Sequence, residues 1–336
     1  MKVSEIGEFG LIAMITSVIN KSSAKNSTAR RNLLLGIGDD AAAWKTANSI
    51  QLATTDILVE GIHFYLDYTN WRDLGWKALA VNISDIASMG GMPEYALVSL
   101  SLPGFIEVAD ILSLYKGMLQ IANEHGIAIC GGNISSADKI IINITLTGKA
   151  SGKKLLKRST AKPGDLISVT GYPGLSDAGL RVLKTKLRVE PEDRETLIGA
   201  HLRPTPKVRE GITLVTQGAK TAIDTSDGLL ADLAHVCQAS RVSAVIYESS
   251  LPIHPLLKKY FGAESIKMVL SGGEDYELLF TATPELMDKV KGNLGCLTTV
   301  IGEIIAGSPG IVSVCNTTGK TIRLDYKGWD HYKPPS

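Results

Sequence analysis

Apolar, strand-like runs recur along this chain and repeatedly stop at acids flanked by glycine, an alternation that limits it to a mixed α/β architecture. The first half reads as strands near residues 33–36, 50–57, 94–102, 127–131 and 139–149, with helical periodicity at about 71–90 and 107–125. The second half opens with a strand at 166–171, then helices near 174–187, 191–202 and 208–218, a strand at 220–224 and a helix at about 227–240. Strands near 243–248, 276–282, 297–304 and 311–315 complete the pattern. Between the halves lies the basic stretch GKASGKKLLKRSTAKPGD, punctuated by Pro163-Gly164. It predicts a boundary, with one α/β domain over 1–150 and a second over 151–336. At 336 residues, each half is long enough for its own core.

Thirty-five Lys and Arg balance 34 Asp and Glu, so no overall field favours nucleic acid or an anionic membrane. The apolar run GLIAMITSVI near the start is too short to span a bilayer and follows Glu5 and Glu8, which predicts an amphipathic helix. Four scattered cysteines (Cys130, Cys237, Cys296, Cys315) without a C-x-x-C pair read as reduced thiols in a cytoplasmic protein.

The informative residues are the acids. Asp39 and Asp40 end the first strand inside LLLGIGDDAAAW, and Thr54, Thr55 and Asp56 are expected to finish the second. Asp85 falls on a helix expected to end at Gly90-Gly91, and Asn133 follows Gly131-Gly132 at the end of IAICGG. Asp224 and Asp227 lie in DTSDGLL, while Glu274 and Asp275 interrupt SGGEDYE. Taken singly, each fits ordinary turn and helix-cap chemistry. Together they have few obvious ion-pair partners nearby, and clustered carboxylates repel one another unless divalent cations lie between them. Mg²⁺ is held this way, by a few carboxylates together with substrate phosphates.

Other readings fit less well. Gly36, Gly38 and Ala41 satisfy a dinucleotide-binding turn, but two carboxylates occupy the space a bare pyrophosphate would need. No P-loop occurs, GLSDA at 174–178 misses the nucleophile elbow by one residue, and the six His show no zinc spacing.

The blocks GEFGLI (7–12), GIGDDAA (36–42), TTDILVEGIHF (54–64), KALAVNISDIASMGG (77–91), LRPTPKV (202–208), DTSDGLLADL (224–233), SGGEDYELLF (271–280) and KGWDHY (327–332) run in order along nearly the whole chain. In this the chain resembles the thiamine-monophosphate kinases of the aminoimidazole-ribonucleotide-synthetase-like superfamily. The resemblance implies two α/β domains with mixed sheets, the N-terminal one binding ATP and Mg²⁺ and pairing its sheet across a homodimer. It implies transfer of the γ-phosphate of ATP to thiamine monophosphate. The acceptor is an already ionised phosphate oxygen, so no general base is needed.

By the same resemblance, Asp40, Thr54, Thr55, Asp56, Asp85, Asn133, Asp224 and Asp227 match metal-binding positions, and Asp39 supports their loop. Tyr115, Gly132, Arg158 and Ser226 match ATP contacts. His63, Glu274 and Trp329 match positions that hold thiamine monophosphate, an indole face suiting a cationic thiazolium. One position departs from the family, whose usual G-G-D-T is here Gly131-Gly132-Asn133-Ile134, replacing a charged ligand with an amide. Two alternatives therefore stand beside the kinase: an aminoimidazole ribonucleotide synthetase-like enzyme and a non-catalytic nucleotide-binding relative. Selenophosphate synthetase would need a reactive Cys or selenocysteine in an early glycine-rich loop, and no Cys precedes Cys130.

Overall fold

The computed structural model describes residues 3–21, 31–185, 187–316 and 318–322. The chain begins with helix α1 (Val3–Lys21), interrupted at Gly7, where φ is 69°. Strands β1 (Leu33–Leu35), β2 (Ala42–Lys45) and β3 (Ile50–Val59) lead to α2 (Trp71–Ser88), β4 (Gly91–Leu102), α3 (Val108–His125), β5 (Ala128–Ser136) and β6 (Ile141–Ala150). These six strands form one sheet in the order β1-β2-β3-β6-β4-β5, antiparallel except for the β4–β5 pair.

The second sheet has seven strands: β7 (Leu166–Thr170), β8 (Thr221–Asp224), β9 (Ser243–Tyr247), β10 (Leu278–Ala282), β11 (Thr298–Ile305), β12 (Ile311–Cys315) and β13 (Thr321–Ile322). Their order is β13-β12-β9-β11-β7-β10-β8, with β12–β9 the parallel pair. Helices α4 (Leu175–Lys184), α5 (Pro191–Leu202), α6 (Val208–Gln217) and α7 (Leu229–Ser240) connect it, followed by α8 (Pro255–Phe261), α9 (Glu264–Ser271) and α10 (Pro284–Lys291). The fold is thus mixed α/β built on two mixed sheets, as the alternation of elements predicted.

Helix α2 organises the first half. Asn70 caps it by accepting from the Asp73 N–H at 2.9 Å, and 14 of its 18 residues are buried. It lies so close to α3 that a Cβ on Gly75 would sit 1.9 Å from the Leu114 carbonyl oxygen, and one on Gly117 1.8 Å from that of Arg72. The core formed with β3, β4 and β6 holds Leu52, Leu79, Ile83, Ile86, Leu100 and Ile144. The other face of the sheet leaves Ile57, Tyr95 and Leu97 exposed at 48, 55 and 46%, while Ile134 on the edge strand β5, in register with Leu100, lies on the helix side.

Several boundaries differ from the sequence reading. β3 continues through Ile57-Leu58-Val59, so Thr54, Thr55 and Asp56 sit in mid-strand rather than at its end. β5 likewise runs to Ser136, placing Asn133 inside a strand. Helix α2 stops at Ser88, and Gly91 already belongs to β4. β2, β13, α8, α9 and α10 went unread, being short elements with little periodicity to show. All four cysteines are free thiols. Among the described residues no helix is long and apolar enough to cross a membrane.

Candidate active site

Polar residues embedded in α2 build the site. Ser88 Oγ donates to Asp40 Oδ2 at 2.7 Å, and Ser84 Oγ donates to Asp224 Oδ2 at 2.6 Å. Asn82 Oδ1 accepts from the Asp56 N–H at 3.1 Å, and Thr54 Oγ1 donates to Asp85. One buried helix therefore grips the β1–β2 loop, mid-β3 and the end of β8 at once. Carboxylate oxygens of Asp40, Asp85 and Asp224 lie within 4.8 Å of one another.

Three carboxylates this close cannot all remain charged without a cation. At an effective dielectric near 20, two full charges about 5 Å apart repel by roughly 3 kcal/mol. Burial, then the charges of Asp56, Asp224 and Asp40, raises Asp85 well above the usual carboxylate range. Asp56 and Asp224 are also raised, by burial first and Asp40 second. Asp39, which accepts from the Asp40 and Arg158 N–H groups, is pushed up to about 6 by burial and Asp40. The donor set is all oxygen, hard and anionic, which suits Mg²⁺.

The expectation that these acids have few ionic partners is corrected at two of them, Asp40 and Glu274. Arg158, in a 3₁₀ turn at Arg158–Thr160, reaches Asp40 through Nε at 2.9 Å and also through Nη2. Its guanidinium shares in neutralising Asp224 and Asp39 as well, leaving most of the negative charge uncompensated.

The remaining expected site residues fall into three groups. Asp227 and Ser226 lie in the loop between β8 and α7, whose Asp227 and Gly228 N–H groups both donate to the buried Asp232 carboxylate. Thr55 alternates to the opposite face of β3, where its hydroxyl meets Ile144 O and Thr145 Oγ1, away from the acids. Gly132 and Asn133 are exposed on β5, three strands from β3, which places Asn133 about 14 Å from Asp56 by strand spacing. A Cβ on Gly132 would come within 1.7 Å of the Val98 carbonyl oxygen, so only glycine fits there. Tyr115 is half-buried on α3.

The third group centres on Glu274. It and Tyr276 have left-handed backbones, φ 63° and 52°, each costing about 1–3 kcal/mol for a non-glycine residue. The strained loop is laced to DTSD: the Glu274 N–H donates to Ser226 O at 2.8 Å and the Tyr276 N–H to Thr225 O at 2.9 Å. Asp275 accepts from the Gly174 and Ser176 N–H groups at the start of α4, and burial pushes it up to about 8. Burial would raise Glu274, but Lys77 Nζ at 2.9 Å holds its carboxyl below the usual range. His63, whose Nδ1 accepts from the Val59 N–H at 3.0 Å, contributes to the same field. Tyr65 and Tyr68, ring centroids 5.7 Å apart, follow on that turn, and burial, Tyr65 and Glu274 push the Tyr68 phenol up to about 12. Trp329 and the KGWDHY block lie outside the described residues.

Sequence reasoning missed Lys77, His201, Tyr68, Asp232 and the serines of α2. A signal existed for α2: Lys77, Asn82, Ser84, Asp85 and Ser88 interrupt an otherwise apolar helix, which is costly unless each finds a partner.

Residues 38–150 match the AIR synthase related protein, N-terminal domain, and residues 162–315 the corresponding C-terminal domain. The thiamine-monophosphate kinase of Escherichia coli K12 is 38% identical over 98% of this chain and 99% of its own length. That of Bacillus subtilis 168 is 37% identical, over 97% and 99%. The solved structure of AaThiL complexed with AMPPCP and TMP superposes with a TM-score of 0.85 at 36% identity, covering 98% of this chain and 99% of that one.

Proposed function

Because the chain belongs to the AIR synthase related proteins, and within them to the thiamine-monophosphate kinases, we propose that it transfers the γ-phosphate of ATP to thiamine monophosphate, giving ADP and thiamine diphosphate. The observation that carries the chemistry is the Asp40–Asp85–Asp224 cluster, an anionic oxygen cage beside a separate recognition loop at Glu274.

We assign Asp40, Asp56, Asp85, Asp224 and Asp227, with Thr54 and the backbone at Thr55, to holding Mg²⁺ ions. When bound, these would neutralise and orient the phosphates of both substrates. Asn133, on β5, would offer an amide oxygen to a further Mg²⁺ ion. Tyr115, Gly132, Arg158 and Ser226 bind ATP, the bare backbone at Gly132 leaving room for close approach. Arg158, paired with Asp40 beside the acids, presents a planar fork that would suit phosphate oxygens. His63, Glu274 and Trp329 hold thiamine monophosphate. The chain's own contribution is positioning and electrostatics, and an in-line transfer to an ionised phosphate oxygen asks no residue to remove a proton.

We further propose a cytoplasmic homodimer in which residues 1–150 carry the ATP, Mg²⁺ and pairing functions and 151–336 complete the site. The nine-residue edge strand β5 and the exposed Ile57, Tyr95 and Leu97 are what a partner's sheet would cover. The non-catalytic reading rested on Asn133, and that residue is remote from the three-Asp cluster.

Purified protein given ATP and Mg²⁺ with thiamine monophosphate, free thiamine or an aminoimidazole ribonucleotide precursor tests the assignment. Thiamine monophosphate is the expected acceptor, with turnover strictly dependent on Mg²⁺. Equal or better use of free thiamine would overturn it.

A further inference from the structure

Lys77 is 2% exposed, and an ammonium at such depth is tolerated only with close partners. Its Nζ lies 2.9 Å from Glu274 Oε1 and 3.5 Å from His201 Nε2. An ammonium only donates, so His201 Nε2 is the lone-pair nitrogen and the ring proton sits on Nδ1 by elimination. That nitrogen faces Ser176 Oγ at 3.0 Å and Glu274 Oε2 at 3.6 Å. Lys77 comes from α2, Ser176 from α4, His201 from α5 and Glu274 from the loop after α9, so four elements converge on one carboxylate.

The cation of this group is Lys77, not the histidine. Burial and the Lys77 charge hold the imidazole down at about 3. Glu274 itself keeps 29% exposure on a strained backbone. Both its oxygens face partners, Lys77 and His201, yet the side chain still reaches the surface, an arrangement that a purely structural ion pair does not need.

We infer that Lys77, steadied by His201 and Ser176, is a positioning residue that fixes the Glu274 carboxylate in place and aims it at the acceptor substrate. The inference rests on the proposed role of Glu274 in holding thiamine monophosphate. The acceptor offers groups that complement an aimed carboxylate, an aminopyrimidine N–H donor and a thiazolium cation. On this account Lys77 never touches substrate. It fixes where the negative charge stands, and with it the discrimination of the acceptor from other phosphorylated molecules. The same helix carries Asp85 two turns further on, so α2 sets the distance between the acceptor's head and the acids.

The test is a kinetic cycle of Lys77→Met, Glu274→Gln and the double variant, read as separate KM values for thiamine monophosphate and ATP. Glu274→Gln and Lys77→Met should each raise KM for thiamine monophosphate about tenfold or more while KM for ATP stays within about twofold. The double variant should be little worse than either single change, because the two act through one carboxylate. His201→Gln, which keeps an acceptor near Lys77 but loses the imidazole's fit, should raise the same KM a few-fold. An unchanged KM for thiamine monophosphate in Lys77→Met, or a double variant whose loss is the product of the two singles, would overturn the inference. An unaffected Glu274→Gln would instead remove the reading of Glu274 on which it stands. Should Lys77→Met fail to fold, the charge-neutral double variant and His201→Gln still decide: equal losses in both KM values would mark the group as merely structural.

Discussion

At Asp85 two demands oppose each other under the proposed Mg²⁺ binding: the carboxylate is unwelcome to its neighbours in the bare protein and wanted when the ion is bound. Asp85→Asn should therefore stabilise the protein in EDTA by about 1–2 kcal/mol, a discounted share of the repulsion between close carboxylates. It should also abolish the gain in stability that the proposed Mg²⁺ binding predicts for the native protein, about 2.7 kcal/mol at a hundred times the dissociation constant. Turnover should fall by at least about a hundredfold. Urea unfolding with and without Mg²⁺ reads both effects, and a variant less stable in EDTA would contradict the account. His201 makes a separate prediction with a definite sign. Its folded pKa is depressed from 6.5 to about 3, so the unfolded chain takes up a proton that the folded one refuses. The stability it contributes is complete above about pH 6.5 and is lost as pH falls toward 3. His201→Gln should therefore flatten the stability profile between about pH 6 and pH 4 by roughly 1.4 kcal/mol per pH unit. Parallel native and variant profiles there would refute the neutral, buried imidazole. Asp40, Asp85 and Asp224 were legible in the sequence because acids beside glycines in apolar runs need a reason to be there. The pairing of Arg158 with Asp40 and of Lys77 with His201 was not, because those partners stand 118 and 124 residues apart and only the fold joins them.

Among the elements, α2 is the part on which both the fold and the site depend, and its closeness to α3 offers a direct test. Gly75→Ala places a methyl 1.9 Å from the Leu114 carbonyl oxygen, so the helices must part. Overpacking of this kind costs about 1–3 kcal/mol or more, and turnover should drop with it because the residues gripping Asp40, Asp56, Asp85 and Asp224 move too. Gly199→Ala, on α5 with nothing within 4 Å of the new methyl, serves as the control and should be neutral or stabilising by up to about 1 kcal/mol. Denaturant midpoints of the two variants should thus move apart, and equal midpoints would deny α2 its tight seat. The long amphipathic helices and apolar strands were readable from periodicity. Mid-strand Thr54 and Asp56 were not, since a threonine and an acid look like a strand's end unless one knows that a polar helix face waits beneath them. The short helices α8, α9 and α10, at seven to eight residues, hold too few turns for periodicity to register.

For the whole molecule, the exposed sheet face is the feature that a single chain leaves unexplained. Replacing Tyr95 and Leu97 together by Glu should convert a species sedimenting at twice the chain mass into one at the chain mass, with the fold intact by circular dichroism. Unchanged sedimentation would move the pairing surface elsewhere. Asn133→Asp should lower the Mg²⁺ concentration for half-maximal turnover, a tenfold step being worth about 1.4 kcal/mol, and superimposable titrations would remove position 133 from any metal. The central claim, that the acid cage and the Glu274 loop serve one direct transfer between two phosphates, is tested most directly by following label from [γ-³²P]ATP in the presence of thiamine monophosphate. The account predicts label in thiamine diphosphate, one for each ADP formed, and none when Mg²⁺ is withheld. Label released as inorganic phosphate while thiamine monophosphate remains unchanged would contradict it.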